Sequence, residues 1–164
     1  MIACSSTAGQ LCYNEKGEEM IIGIGNDHTA VALKQEILKF LQAEDIRVID
    51  YGTAGQQAVD YPQIAQKVCQ AINKEIDSAI LICGTGIGMC ISANKVKGIR
   101  AAVGSDVYSA TLAKQHNNVQ VLCLGARVIG SEAAKMIVDG WLKAEFQGGR
   151  HEKRLEMITA IEEE

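Results

Sequence analysis

Residues 83–88 read Cys-Gly-Thr-Gly-Ile-Gly, directly after the apolar run Ala79-Ile80-Leu81-Ile82. Glycines at alternating positions between a strand end and a helix start let backbone N–H groups converge on an anion or an oxyanion. A thiol at such a helix start has its thiolate stabilised, which is what a base or nucleophile needs. Cys83 is therefore a candidate base next to a candidate oxyanion nest of Gly84, Thr85, Gly86, Ile87 and Gly88. The plainer reading of a cysteine at a strand end is a small hydrophobe. Cys90, one or two helical turns on, is a weaker rival. Other glycine loops fail on spacing. A phosphate-binding Walker loop needs Gly-Lys-Ser/Thr where Gly88 is followed by Met89, and G-x-G-x-G is not the dinucleotide pattern G-x-G-x-x-G. A cysteine-phosphatase loop needs an arginine where Met89 stands.

Three further groups carry chemistry. Asn26-Asp27-His28 puts a carboxylate and an imidazole side by side after the apolar run 21–25, suited to acid–base work or to holding a hydroxyl. The alternative is that Asp27 caps the helix beginning near Ala30 and His28 is a loop residue. Gln115-His116-Asn117-Asn118 closes a predicted helix, where a histidine either reacts or satisfies the helix C-terminus. Arg127 follows the last predicted strand. Arg150 and Arg154, four apart after Gly148-Gly149, share one face of a helix start and suit a phosphate, or else form a solvated basic turn.

These groups need a scaffold that brings strand ends together. Short apolar runs at 21–25, 47–51, 79–83, 99–103 and 119–124 alternate with amphipathic stretches near 30–43, 64–72, 88–96, 105–115, 131–144 and 152–162. Strongly apolar strands alternating with helices predict a parallel sheet covered on both faces. The expected fold is α/β: a three-layer α/β/α sandwich of roughly five parallel strands, Rossmann-like. In such sheets ligands bind beyond the carboxyl ends of the strands.

Composition bounds the rest. The chain has 164 residues, 48% hydrophobic and 4% aromatic, so its core must be aliphatic. A net charge of −4 argues against non-specific nucleic-acid binding, and no apolar run approaches a membrane span. Local arginine pairs in an acidic chain fit a small phosphorylated anion. Six cysteines without a C-x-x-C pair, beside three histidines, offer no zinc spacing, so no metal is expected. Without a signal peptide pattern, reduced thiols in a cytoplasm are the economical reading. Residues 1–19 are polar and aperiodic and read as an N-terminal extension; residues 20–164 read as one domain.

In this order the residues resemble a family. Gly25-Asn26-Asp27-His28, Asp60-Tyr61-Pro62, the Cys83-Gly-Thr-Gly-Ile-Gly loop, Ala93-Asn94-Lys95, Gln115-His116-Asn117 and Gly148-Gly149-Arg150-His151 follow one another as in ribose-5-phosphate isomerase B. The related galactose-6-phosphate isomerase subunits share the scaffold. The resemblance runs from Met20 to about Ile161. It implies an aldose–ketose isomerase without metal or organic cofactor. On it, Cys83 moves a proton between C2 and C1 of the sugar through an enediolate. Backbone groups of Gly84 to Gly88, with Thr85, hold the oxyanion. His116 assists ring opening, Asp27 acts at the sugar hydroxyls and Asn117 binds substrate. His28, Tyr61, Arg127, Arg150 and Arg154 surround the phosphate or sugar. The family forms homodimers or dimers of dimers with a site shared between subunits. The chain departs from the pattern at Asn26, where a small residue is expected, at Met89-Cys90, where small polar residues are common, and around Asn73-Lys74-Glu75, which is slightly shortened. An isomerase of a six-carbon 6-phosphate sugar and a non-catalytic sugar-phosphate-binding subunit are the competing readings.

Overall fold

The computed structural model describes residues 17–55 and 57–164. Most of the expected extension, with Cys4 and Cys12, lies outside them. The chain runs β1 (Ile21–Asn26), α1 (Val31–Ala43), β2 (Arg47–Asp50), α2 (Tyr61–Ala71), β3 (Ser78–Cys83), α3 (Ile87–Ala93), β4 (Ala101–Val103), α4 (Val107–Asn117), β5 (Val121–Gly125), α5 (Ser131–Leu142) and α6 (Arg150–Glu163). All pairings are parallel, in the order β2-β1-β3-β5-β4.

The period of two in the strands sorts the core into two layers. Ile22, Ile24, Ile80, Ile82, Leu122 and Leu124 face α1, α4 and α5, where Trp141 is buried. Ala79, Leu81, Cys83, Val121 and Cys123 face α2 and α3. This is the three-layer α/β/α sandwich, and Met20 packs against its first layer. On the second face β1 presents Gly23 and Gly25, and α2 lies close: a Cβ on Gly25 would stand 3.0 Å from Ile64 and Val68.

Two strands are shorter than the apolar runs suggest, because neighbouring helix ends take the extra residues. Ile99 turns back onto Val96 at 3.1 Å. Val119 closes α4 by donating to the Ala113 carbonyl at 3.1 Å, with Asn118 in the left-handed region at φ 45°. The helix after the glycine loop ends at Ala93, where the Asn94 side chain takes over. It accepts from the Ala101 amide and donates to the Ala101 carbonyl, both at 2.9 Å, pairing with β4 as a strand would.

The strand order places the site. From β1 the chain passes to β2 on one side, and β3 starts on the other, so β1 and β3 flank the point where the order reverses. Ligand crevices in open parallel sheets form at that point, outside the carboxyl ends. Asp27 follows β1 there, and Cys83 ends β3.

Candidate active site

Cys83 lies at the end of the fully buried β3 and is 5% exposed. Its Sγ accepts a hydrogen bond from the Gly86 amide at 3.2 Å. The loop reaches this shape because Gly86 adopts φ 79°, a conformation costly for any residue with a Cβ. It also lies flat on β5, where a Cβ would stand 3.1 Å from the Leu124 carbonyl carbon. Beyond it, Thr85 is exposed and its Oγ1 accepts from the Ile87 amide at 3.4 Å. Gly88 sits under the Tyr61 ring, so close that a Cβ would meet Cζ at 2.7 Å. Tyr61, at the start of α2, is therefore a wall of the same crevice.

The β1 end joins it from one strand away. Asn26 pairs with Ile82, and the Asp27 amide continues the ladder onto the Ile82 carbonyl at 3.1 Å, setting Asp27 beside Cys83. Asp27 does not cap α1. Ala30 is the N-cap residue and no side chain caps it; the Asp27 carboxylate instead closes its own turn, accepting from the Thr29 amide at 2.9 Å and from Thr29 Oγ1 at 2.6 Å. Short polar side chains favour such a local turn over a cap two residues further on. The carboxylate is held rigid, 6% exposed. His28 follows, with Nδ1 accepting from the Val59 amide at 3.5 Å. Arg127, after β5, is exposed and lays its Cδ beside Gly84, where a Cβ would be 3.7 Å away. Asp27, His28, Tyr61, residues 83–88 and Arg127 thus share the carboxyl edge of the sheet.

The remaining candidates lie at the opposite edge. The His116 ring stacks on His151 with centroids 4.2 Å apart and planes 9° from parallel. Arg150 Nε donates to His151 Nε2 at 3.4 Å. Burial, then the neighbouring His116, Arg150 and Arg154 charges, hold His151 below its ordinary pKa. Asn117 is exposed, its carbonyl accepting from Arg100 Nε at 2.9 Å. Cys83 pairs with Gly125 at one end of β5, and α4 ends just before its other end. The length of β5 alone separates the two groups by roughly 13 Å. Within one chain, His116 and Cys83 cannot exchange a proton.

The other thiols fall into place. Cys69 is buried and burial pushes it up to about 12. Cys123, buried, is raised well above the usual thiol range, first by its hydrogen bond to Cys90 and then by burial. Cys90 is lowered to about 7 by the Cys123 hydrogen bond, with Asn94 helping against burial. Among the described residues no His, Cys, Asp and Glu cluster could hold a metal ion. No described helix is long and apolar enough to cross a membrane.

Comparison with known proteins settles the family. The Ribose/Galactose Isomerase family model matches residues 22–158. The chain belongs to that family. It is 52% identical to ribose-5-phosphate isomerase B of Escherichia coli over 87% of this chain and 96% of that one. It is 48% identical to the D-erythrulose-4-phosphate isomerase of Pectobacterium atrosepticum, over 86% of this chain and 94% of that protein. Among solved structures, ribose-5-phosphate isomerase B from Mycoplasma genitalium, with bound ribulose-5-phosphate, superposes with a TM-score of 0.84 at 42% identity. That match covers 88% of this chain and 97% of that one. As a member of this family the chain is an isomerase.

Two residues escape a sequence reading of this isomerase fold. His151 was visible inside Gly148-Gly149-Arg150-His151, but nothing local marks it as the stacking partner of His116. Lys34 reads as an ordinary helix lysine, yet it is 1% exposed, with Nζ 2.7 Å from Asp50 Oδ2.

Proposed function

We propose that this isomerase interconverts ribose 5-phosphate and ribulose 5-phosphate, with Cys83 as the base. The observation that carries the reading is the Cys83 thiol beside Asp27 at the sheet's switch point, under a loop whose Gly86 amide points at the sulfur. The thiolate takes the proton from C2 of the open-chain aldose, leaving the electron pair in an enediolate. It returns a proton to C1 while the hydroxyl proton moves from O2 to O1. Loop amides of residues 84–88, with Thr85, stabilise the oxyanion that develops, where preorganised donors act best. Asp27 and His28 orient the sugar hydroxyls, and the remote phosphate supplies binding energy for orientation. No metal or organic cofactor takes part.

His116 opens the ring, and the roughly 13 Å between it and Cys83 requires a second copy of the chain to supply it. The working unit is then a homodimer or dimer of dimers, with His116, Asn117, Arg150 and Arg154 reaching the neighbour's Cys83. Residues 20–164 act as one domain in the cytoplasm. Comparing kcat/KM for ribose 5-phosphate with that of the ring-opened substrate tests the division of labour. His116→Asn harms turnover of the ring-closed sugar more; equal losses on both count against ring opening.

A second reading has its own support: a 48% identical relative bears the name of a four-carbon phosphate isomerase. The substrate is then a sugar phosphate of another length, four carbons or a six-carbon 6-phosphate. Side-by-side kcat/KM on ribose 5-phosphate, erythrulose 4-phosphate and allose 6-phosphate ranks them; no turnover of the pentose overturns the first choice.

A further inference from the structure

We propose that Lys34 is a positioning residue for this site: it clamps the loop after β2 onto α1 and thereby holds the turn that carries Asp27 and His28. The proposal rests on the functional reading above. Lys34 stands one turn into α1 and is 1% exposed, although lysine is almost never buried without a partner. Its Nζ donates to Asp50 Oδ2 at 2.7 Å and to the Thr53 carbonyl at 3.0 Å. The other Asp50 oxygen accepts from the Gly52 amide at 2.8 Å. One ammonium group therefore fixes residues 50–53 from both ends.

That loop in turn grips Asn26. Gly52 lies so close to the Asn26 side chain that a Cβ there would collide with Oδ1 and stand 2.7 Å from the Asn26 backbone nitrogen. Thr53 N donates to the Asn26 carbonyl at 3.5 Å. Asn26 is fully buried, and its Nδ2 donates to the Asp27 carbonyl at 2.8 Å, while its Oδ1 has no hydrogen-bond partner. The Asp27 peptide is thus held by Ile82 on one side and by Asn26 on the other. A buried ion pair is a poor device for stability, since apolar side chains of similar size often serve as well. A fixed ammonium is, by contrast, a good device for keeping a loop in one place. Catalytic groups misplaced by about 1 Å lose on the order of 10²-fold in rate, so the clamp is felt in catalysis.

The test compares purified full-length wild type with Lys34→Met, Asp50→Asn and Gly52→Ala. It reads kcat and KM on ribose 5-phosphate, thermal midpoints, and the affinity for ribose 5-phosphate by calorimetry. Lys34→Met puts an apolar side chain of similar size in the buried position and keeps the fold, whereas Asp50→Asn leaves the 1% exposed ammonium without its counter-charge. Lys34→Met is therefore the variant that decides, and the thermal midpoints are read beside the kinetics. The clamp predicts that Lys34→Met and Asp50→Asn, folded at the assay temperature, lose about 10- to 100-fold in kcat/KM with KM raised. Gly52→Ala loses a similar factor, because its Cβ drives the loop off Asn26. A kcat/KM within about twofold of wild type overturns the proposal, as does a loss no larger than the fraction of unfolded protein that the thermal midpoints give at the assay temperature. If wild type itself fails to turn over the pentose, the functional reading falls. The clamp is then judged on calorimetry alone, where unchanged affinity in the variants overturns it.

Discussion

The Gly86 amide and the Cys83 sulfur are 3.2 Å apart, and Gly86 adopts φ 79° to bring them together. The base and the backbone that would steady its charge are thus parts of one six-residue turn. Anything that alters the turn alters both.

Gly86→Ala puts a Cβ at a left-handed position and against the Leu124 carbonyl, 3.1 Å away. A cost of about 1–2 kcal/mol is expected for the backbone alone. The thermal midpoint falls by a few degrees, and isomerisation falls by a larger factor than the midpoint shift explains. Retention of wild-type kcat would show that the amide–sulfur contact is irrelevant to turnover.

Cys83→Ala removes the proposed base while leaving the fold's second core layer nearly intact. Isomerisation drops by about 10²–10⁴-fold, the usual contribution of a positioned base, with inorganic phosphate inhibiting as in wild type. A variant as active as wild type would pass the role of base to Cys90 or a carboxylate.

Mixing Cys83→Ala and His116→Asn chains under conditions of subunit exchange tests the shared site. In a symmetric dimer, half the molecules are hybrids and each hybrid has one intact site, so activity returns to about a quarter of wild type. No recovery is expected if both residues serve the same chain's site. If His116 is a bystander, the His116→Asn chains are active alone and the mixture shows about half of wild-type activity.

Iodoacetamide separates the thiols of the described residues. Cys90, lowered to about 7 and half-buried, carries substantial thiolate at neutral pH and is alkylated early, as peptide mass mapping would show. Cys69, raised to about 12, and the buried Cys123 stay unmodified in the folded protein. Labelling of Cys69 ahead of Cys90 would contradict this packing.

The His116–His151 stack predicts an acid limit. His151 is held below its ordinary value of 6.5 by burial and by the neighbouring positive groups. Between that lowered value and 6.5 the unfolded chain takes up the proton before the folded one. Stability is therefore lost as pH falls through this window and is unaffected above it. Thermal midpoints measured from pH 7 downwards decline, and His151→Gln flattens the decline. An unchanged slope in the variant would remove His151 as the cause.

The elements were legible wherever the signal was local. Ile80 and Ile82 on one face and Leu81 and Cys83 on the other announce a strand buried on both sides. The glycines after Cys83 announce a turn, because no other residue enters that conformation as cheaply. That Asp27 follows a strand end was legible locally. That its carboxylate binds Thr29, and not the α1 amides as the capping alternative had it, was not, since that choice depends on where the chain turns. Lys34 was not legible at all. It adjoins the Leu33, Ile37 and Leu41 stripe of α1, and its partner Asp50 lies on another element.

The amino-acid sequence by itself determined the alternation of strands and helices, the parallel sheet, and the identity of the thiol, carboxylate, imidazole and arginine groups. Those follow from residue type and from periods of two and about 3.6. The tertiary structure alone decided which groups share an edge. Each helix that returns antiparallel to its strand carries its C-terminus to the opposite side of the sheet. His116, 33 positions after Cys83 by its number in the chain, therefore lies beyond its reach within one chain, while Asp27, far away in sequence, stands on the neighbouring strand. Strand order set that outcome, and strand order is a property of packing among all the layers at once.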